Sequence, residues 1–529
     1  MVLHVRYFQI GHLAFWLIFT SSAKLYEYSF TPILPSLCAL SMVLISRSAL
    51  IGLTGGALAG AILLAPAVWL APAHLISDLL LPALQSRWNL CVLFFTLIMG
   101  GFVGLLAGGG AISALVRKLT SGARQGSRRM EWITYGLGFG CFFDGLANSM
   151  LVGSTMRPIY DRACSSRTRL AYIVDSTSSP IACLALLSTW IAYQLSMIKE
   201  GLAASQLEAN PYSMFLAALP GNYYCWFTLM LVAIVIHRRW SPLAGSSIPE
   251  DAAPAIPEQS DGEMPGIRSI LVPLLFLVII LPASLWWSGS RALRGQADAQ
   301  WVDTFAAADT SLMLVLSGLA ASLVACTVYP RNAVLRPAHA FTAGVKRMLG
   351  PAMILIAAWA LSCSLKELGA AGWIGNLLSG EIPLWLLPAL VFLTGALISF
   401  LTGTSWGTMG IIIPLVIPLA TSMAKLPENI AVDASPYTFS VSVLAAAFSG
   451  AVFGDHCSPM SDTTIVSSMA SGVEPMQHVV TQMPFAMIAA GLALFPGFIM
   501  AGWTGLLWPG LLAGTLALMA LWVILGRTR

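Results

Sequence analysis

The chain has 529 residues, of which 57% are hydrophobic and only 9% charged. A soluble domain carries about 25% charged residues, so this composition cannot clothe a water-facing surface of that size and excludes a soluble enzyme. The net charge of +4 provides no polybasic face for nucleic acid. Apolar runs of about 20 residues, the length that crosses a bilayer as a helix, recur from end to end. The ten-residue alternation of an outer-membrane barrel is absent. The nine cysteines include no Cys-x-x-Cys pair and mostly lie inside apolar runs, where they read as small buried hydrophobes rather than disulfides or metal ligands.

In chain order, spans are predicted at 7–20, 32–46, 50–70, 90–115, 170–197, 213–236, 269–289, 310–328, 350–368, 437–470, 482–503 and 505–526. The first is short, follows Arg6 and is trailed by Ser21-Ser22-Ala23. Segment 1–29 is therefore either a short span or a signal peptide. Two stretches do not fit a simple span. Residues 130–156 are flanked by Arg117, Lys118, Arg124, Arg128 and Arg129 before, and by Arg157, Arg162, Arg167 and Arg169 after. At about 1.5 Å per residue this is too short for two crossings, and a re-entrant hairpin keeps both clusters on one side. Residues 382–424 contain no charged residue and are interrupted by Gly403, Gly407, Pro414 and Pro418. As two full helices or as a second hairpin, they return to the side they left.

With the first hairpin in place, twenty of the 27 lysines and arginines fall in cytoplasmic loops, as the positive-inside rule requires. A full span at 130–156 would reverse every later loop and destroy the bias. Two repeats of the same order and opposite orientation follow, at 30–240 and 269–503. Each has three spans, a hairpin, a span with an internal break and a last span. Between them, 241–268 is rich in Pro, Ser, Ala, Asp and Glu and reads as a disordered cytoplasmic linker. Segment 504–529 adds a C-terminal span and a cytoplasmic tail. The expected fold is an all-α polytopic membrane protein of about 11–12 spans. Inverted repeats with broken helices are the architecture of secondary transporters, with the site at the repeat interface.

Charges inside the membrane cost about 2.5–3.5 kcal/mol each on insertion scales, so those present have a purpose. The first hairpin holds Asp144 and Asn148 near its tip, and the next span holds Asp175-Ser176-Thr177-Ser178-Ser179-Pro180. The second hairpin tip carries Thr404 and Ser405. The span after it reads Gly454-Asp455-His456-Cys457-Ser458-Pro459, then Ser461-Asp462-Thr463-Thr464. Each repeat therefore pairs a polar tip with a helix broken near Ser-Pro. Carboxylates, hydroxyls, an amide oxygen and freed backbone carbonyls suit a hard cation such as Na⁺. A buried carboxylate also holds a proton, because burial disfavours its charged form. The candidate cation and proton residues are Asp144, Asn148, Asp175, Ser176, Thr177, Thr404, Ser405, Asp455, His456, Ser458, Asp462 and Thr463. Arg157 is either an anchor at the membrane surface or a contact for an anionic substrate. Gly108-Gly109-Gly110 and Gly55-Gly56 with Gly60 suit close helix packing. No Gly-Lys-Ser/Thr follows them.

These segments resemble the NhaC-type sodium/proton antiporter family. Phe453-Gly-Asp-His-Cys-Ser-Pro-Met-Ser-Asp-Thr-Thr-Ile-Val-Ser-Ser468 carries the resemblance most specifically. Gly403-Thr-Ser-Trp-Gly-Thr-Met-Gly-Ile-Ile-Ile-Pro414, Leu151-Val-Gly-Ser-Thr-Met-Arg-Pro158 and Ala171-Tyr-Ile-Val-Asp-Ser-Thr-Ser-Ser-Pro180 add to it. A looser match runs from Ala358 to Gly369. The resemblance covers about residues 30–500. It implies the inverted-repeat fold of the wider ion-transporter superfamily, in which paired hairpins and broken helices bind the cation. One feature departs: the family carries two adjacent acids and an aromatic at the first hairpin, whereas here Asp144 is followed by Gly145 and Leu146. The family also includes exchangers of small organic anions.

The expected function is Na⁺/H⁺ exchange across the cytoplasmic membrane by alternating access. The alternative is cation-coupled exchange of a small organic carboxylate or amino acid. No cofactor is expected beyond the transported Na⁺ and H⁺, with Na⁺ the one metal. The expected partners are the lipid bilayer, the two ions and, in the alternative, a small organic anion. The sequence leaves a homodimer open. An intramembrane protease is disfavoured, because Val452 precedes Phe453-Gly454-Asp455 where a Gly-x-Gly-Asp pattern would need glycine, and no His-Glu-x-x-His is present.

Overall fold

The computed structural model describes residues 30–46, 48–109, 128–162, 165–205, 207–240, 268–294, 304, 307–331, 333, 335–370, 373, 383–424, 435–459 and 461–527. Segment 1–29 and linker residues 241–267 lie outside these. Every described element is helical. The first half comprises α1 (Leu34–Ser46), α2 (Ala49–Leu64), α3 (Val68–Gln85), α4 (Arg87–Gly108), α5 (Arg128–Gly140), α6 (Gly145–Arg162), α7 (Arg167–Ser176), α8 (Ser179–Leu184), α9 (Thr189–Ser205), α10 (Pro211–Ala218) and α11 (Tyr223–Arg238). The second comprises α12 (Arg268–Ala292), α13 (Thr310–Thr327), α14 (Pro337–Arg347), α15 (Leu349–Glu367), α16 (Leu387–Thr402), α17 (Ser405–Ala424), α18 (Pro436–Cys457), α19 (Asp462–Ser471), α20 (Pro475–Thr504) and α21 (Leu507–Arg527). Ten helical stretches among the described residues are long and apolar enough to cross a membrane, or up to 12 if two pairs bent by 46° each count as one.

The packing is exchanged between the two halves in the way a two-fold relation produces. Helix α2 packs on α15, and its counterpart α13 packs on α4. The segment after each of these, α3 or α14, leans on the same partner in the opposite half: α3 on α15, α14 on α4. The hairpins follow suit. The first arm of each packs on the broken helix of its own repeat, α5 on α7 and α16 on α18. The second arm packs on the far part of the other repeat's broken helix, α6 on α19 and α17 on α9. The hairpins and broken helices thus form one interlocked unit, with α4, α14 and α15 alongside.

The sequence sets the breaks. Helix α18 ends at Cys457 because Ser458 precedes Pro459, whose ring disfavours a helical residue before it. Helix α7 ends at Ser176. Its continuation α8 starts at Ser179 with Pro180 near its first position, where a missing N–H costs nothing. The α16–α18 contact is close because Gly450 and Gly454 have no side chains. A Cβ on either would meet the α16 backbone at Phe392 or Ala396. Both hairpin tips are enclosed, with Cys141, Phe143 and Asp144 buried at one and Thr402, Gly403 and Ser405 at the other. Each arm of the second hairpin is long enough to cross (Leu384–Thr402 and Ser405–Ala424), yet its turn lies within protein. This is the hairpin reading of 382–424.

Several elements differ from the sequence expectation. The span predicted at 50–70 ends at Leu64, and a separate helix, α3, follows it with a π-helical stretch at Leu75–Leu80. The apolar run hid Ala65-Pro66, where the backbone leaves the helix. The span predicted at 170–197 has a second break at 185–188, between α8 and α9. Helix α20 begins at Pro475 rather than at 482, and α15 continues α14 in one stretch, Pro337–Glu367, rather than starting at 350. Polar residues at the start of each, including His478 and Lys346-Arg347, give these segments the sequence character of a loop. Packing against neighbouring helices overrides that polarity. Helix α14 fits against α4 through Gly344, Gly100 and Gly104, and His478 is wholly buried.

Candidate functional site

The hairpin tips are built alike. Gly403 ends α16 at φ +68°, a left-handed conformation that glycine adopts without steric cost. The next residue, Thr404, accepts the Gly407 N–H on Oγ1 at 3.2 Å. At the other tip, Asp144 Oδ1 accepts the Ala147 N–H at 2.7 Å. Asp144 and Thr404 therefore occupy equivalent places as N-caps of α6 and α17. The second oxygen of Asp144 accepts the Thr189 hydroxyl at 2.7 Å, which ties this tip to the start of α9. Asn148 donates through Nδ2 to the carbonyls of Gly138, at 2.9 Å, and Thr177, at 2.8 Å. It joins hairpin and helix break, and its buried Oδ1 has no hydrogen-bond partner among the described residues.

At the second break, Asp455 in the last turn of α18 gathers three hydroxyls. Ser461 donates to Oδ1 at 2.7 Å, and Oδ2 accepts Thr463 at 3.2 Å and Ser405 of the hairpin tip at 3.4 Å. The break that opens at Ser458-Pro459 lets Ser461 and Thr463 fold back over the carboxylate. A proline-terminated helix followed by a Ser-x-Thr start produces this return.

Asp175, at the matching place in α7, has a different environment. It accepts Gln482 Nε2 at 2.8 Å, Ser467 Oγ at 3.1 Å and Thr464 Oγ1 at 3.4 Å, and its Oδ2 lies 3.2 Å from His478 Nε2. Its side chain is 0% exposed. Gln482 also donates to the His456 carbonyl at 2.5 Å, binding the two breaks together. His456 points away from Asp455: Nδ1 pairs with the Tyr224 hydroxyl at 2.6 Å, and Nε2 lies 3.3 Å from Ser176 Oγ. Thr177 turns its hydroxyl back to the Ile173 carbonyl at 2.7 Å. Ser458 is buried beside Asp455, and its N–H reaches the Asp455 carbonyl at 3.1 Å.

A cavity of about 540 Å³ lies between the interlocked unit and helices α4, α14 and α15. Asp455, Asp462, Thr463, Thr404 and Ser405 line it on one side, and Asp144 adjoins it at the first tip. Asp175, Ser176, Thr177, His456 and Ser458 do not line it, and neither does Asn148. The structure thus divides the twelve candidates: one group around Asp455 opens to the cavity, and the other is enclosed behind it. Arg157 also lies outside the cavity. It is buried, with its guanidinium against Gly472 at the C-terminal end of α19, where the carbonyl end of a helix favours a cation.

Sequence reasoning missed His478, Gln482, Ser467 and Tyr224, which complete the enclosed network, and Thr189, which holds Asp144. A signal for two of them was present: His478 and Gln482 are four apart, so a helix starting at Pro475 carries both on one face.

Gly145 stands where the family has a second acid. A Cβ there would meet nothing closer than 3.7 Å, at Ala182 and the Ser178–Ser179 backbone, so Gly145→Asp is expected to fold. It should shift Na⁺ affinity or the voltage dependence of transport, since it adds a negative charge beside Asp144. Folded Gly145→Asp with both properties unchanged would show that the departure carries no functional weight.

Two exchanged repeats, with paired hairpins and broken helices around a cavity that has carboxylates on its wall, define a secondary transporter. The chain belongs to the Na⁺/H⁺ antiporter family, whose model matches residues 181–503. An uncharacterized protein of Haemophilus influenzae is 29% identical over 489 residues, covering 89% of this chain and 91% of the relative. Shorter matches reach an uncharacterized Na⁺/H⁺ antiporter of the same organism, 37% identical over 97 residues (18% of each chain), and the malate-2H⁺/Na⁺-lactate antiporter of Bacillus subtilis, 32% identical over 123 residues (22% of this chain and 23% of the relative). Among solved structures, the fold is similar to the YdaH transporter of Alcanivorax borkumensis, with TM-score 0.54 and 16% identity over 90% of this chain and 99% of that one. It is also similar to MtrF of Neisseria gonorrhoeae, with TM-score 0.51 and 13% identity over 83% and 85% of the two chains.

Proposed function

We propose that the protein exchanges Na⁺ for H⁺ by alternating access, with both ions using the Asp455 carboxylate in turn. The observation that carries this reading is the set of three hydroxyls around a buried carboxylate that opens to a cavity. A hydroxyl has one hydrogen and two lone pairs. With the site empty of cation, Ser405, Ser461 and Thr463 donate to Asp455. With Na⁺ present, each hydrogen rotates away and its oxygen joins the carboxylate in coordinating the ion. Protonated Asp455 has no such use for a cation, so one ion displaces the other.

Asp175 serves in this reading as a fixed anchor of the breaks, held by Gln482 and the hydroxyls of α19. Among the described residues, Oδ1 of Asn148 is a buried oxygen near the first tip without a hydrogen-bond partner, and in this reading it is available to an ion. Thr404 and Asp144 hold the tips in shape. The arginine bias supports insertion in the cytoplasmic membrane with the linker and C-terminus inside.

The test is a Na⁺ pulse outside proteoliposomes that enclose a pH dye. Exchange alkalinises or acidifies the lumen according to the direction of the Na⁺ gradient, and equal K⁺ or choline pulses do nothing. A lumen pH indifferent to Na⁺ would overturn the proposal.

A further inference from the structure

Arg347 is the unexplained charge of this cavity. It ends α14 but lies inside the continuous stretch Pro337–Glu367, one residue before Met348, which packs on Gly100 of α4. It lines the same cavity as Asp144, Asp455 and Asp462, and its charge reaches Asp144 through space. It nevertheless forms no ion pair and no hydrogen bond among the described residues. Asp144, the carboxylate its charge reaches, has its oxygens engaged by the Ala147 amide and the Thr189 hydroxyl.

For a pathway that carries only Na⁺, an unpaired guanidinium on the wall is a handicap, because like charges repel most strongly where the dielectric is low. The wall is also largely apolar, with Trp190, Trp406, Met150, Ile354 and Val466 among its residues. The volume of about 540 Å³ falls in the range of small-molecule sites, about 300–1,000 Å³, and far exceeds what one ion needs. An apolar cavity with a few placed charges is built for an amphipathic molecule.

We propose that the cavity binds an organic carboxylate with an apolar body, its carboxylate on the Arg347 fork and its body against Trp190, Trp406 and Ile354, next to the cation at Asp455. The inference rests on the cation reading above and adds a second cargo to it. A carboxylate cancels the guanidinium's repulsion of Na⁺, so each ligand should strengthen the binding of the other, as linkage requires. The apolar wall separates this class from small hydroxy acids, which have no body to bury.

The test is calorimetric titration of the purified protein, in saturating Na⁺ and in choline, with benzoate, phenylalanine, lactate, malate and benzylamine as probes. Benzoate or phenylalanine should bind in Na⁺ and weaken at least tenfold in choline. Arg347→Gln should weaken that binding at least tenfold, and Arg347→Lys should weaken it less, because it keeps the charge but loses the planar fork. Preference for benzylamine would make this a cation cavity and overturn the inference. So would binding of lactate or malate in place of the apolar acids, or equal binding by wild type and a folded Arg347→Gln. If none of the probes binds while Na⁺ itself does, the second cargo fails and the cation reading stands. If Na⁺ does not bind, both fail.

Discussion

Asp455→Asn is expected to reach the membrane folded and to move no Na⁺ against protons. The substitution keeps an acceptor for the Ser461 hydroxyl, and its new N–H₂ can donate to the oxygens of Ser405 and Thr463. The local hydrogen bonds, at 2.7 to 3.4 Å, are therefore preserved in number. What is lost is the charge. Two unit charges about 4 Å apart attract by about 4 kcal/mol at an effective dielectric near 20, roughly a thousandfold in affinity. Na⁺ uptake into proteoliposomes should fall to background at concentrations that saturate the wild type. Wild-type exchange by well-folded Asp455→Asn would remove Asp455 from the site.

Asp175→Ala should fail in another way. Its carboxylate is the common acceptor for Gln482, Ser467 and Thr464 and the neighbour of His478, all of them buried. Removing it strands these donors in a dry interior. Breaking a buried charged network in this manner costs about 3–5 kcal/mol, and the loss should appear as a lowered melting temperature in detergent and poor recovery from the membrane. Gln482→Ala should follow in the same direction with a smaller loss, since it removes one donor and frees the His456 carbonyl. If Asp175→Ala melts like the wild type and loses only Na⁺ binding, the ion site lies at Asp175 and the division between the two aspartates is wrong.

That division marks the limit of what the sequence could tell. Asp175 and Asp455 stand at equivalent places before Ser-Pro breaks, and nothing local distinguishes them. What distinguishes them is the far end of the chain: α20 brings Gln482 and His478 to Asp175 and leaves Asp455 facing the cavity. Hairpins and breaks were legible because proline, glycine and arginine act locally. A helix stops near proline wherever it is, and an arginine cluster stays at the membrane surface in most settings. Arg347 is the exception that shows the limit of this rule. Beside Lys346 it has the sequence character of a loop cation, and only the packing of Gly344 and Met348 against Gly100 places it on the cavity wall. The start of α20 is hidden in the sequence for the same reason: the polarity of His478 resembles a loop until its partner across the repeat interface, Asp175, is known.

The most direct test of the central claim is the affinity for Na⁺ as a function of pH, measured by titration of the purified protein. If Na⁺ and a proton share the Asp455 carboxylate, proton binding competes with Na⁺ by linkage. Well below the pKa of the site, the apparent Kd should then rise about tenfold for each unit fall in pH, with close to one proton released for each Na⁺ bound. Asp455→Asn should abolish both the binding and the proton release. A Kd that stays constant across the acidic range, or Na⁺ binding with no proton released, would contradict a shared site and with it the exchange mechanism.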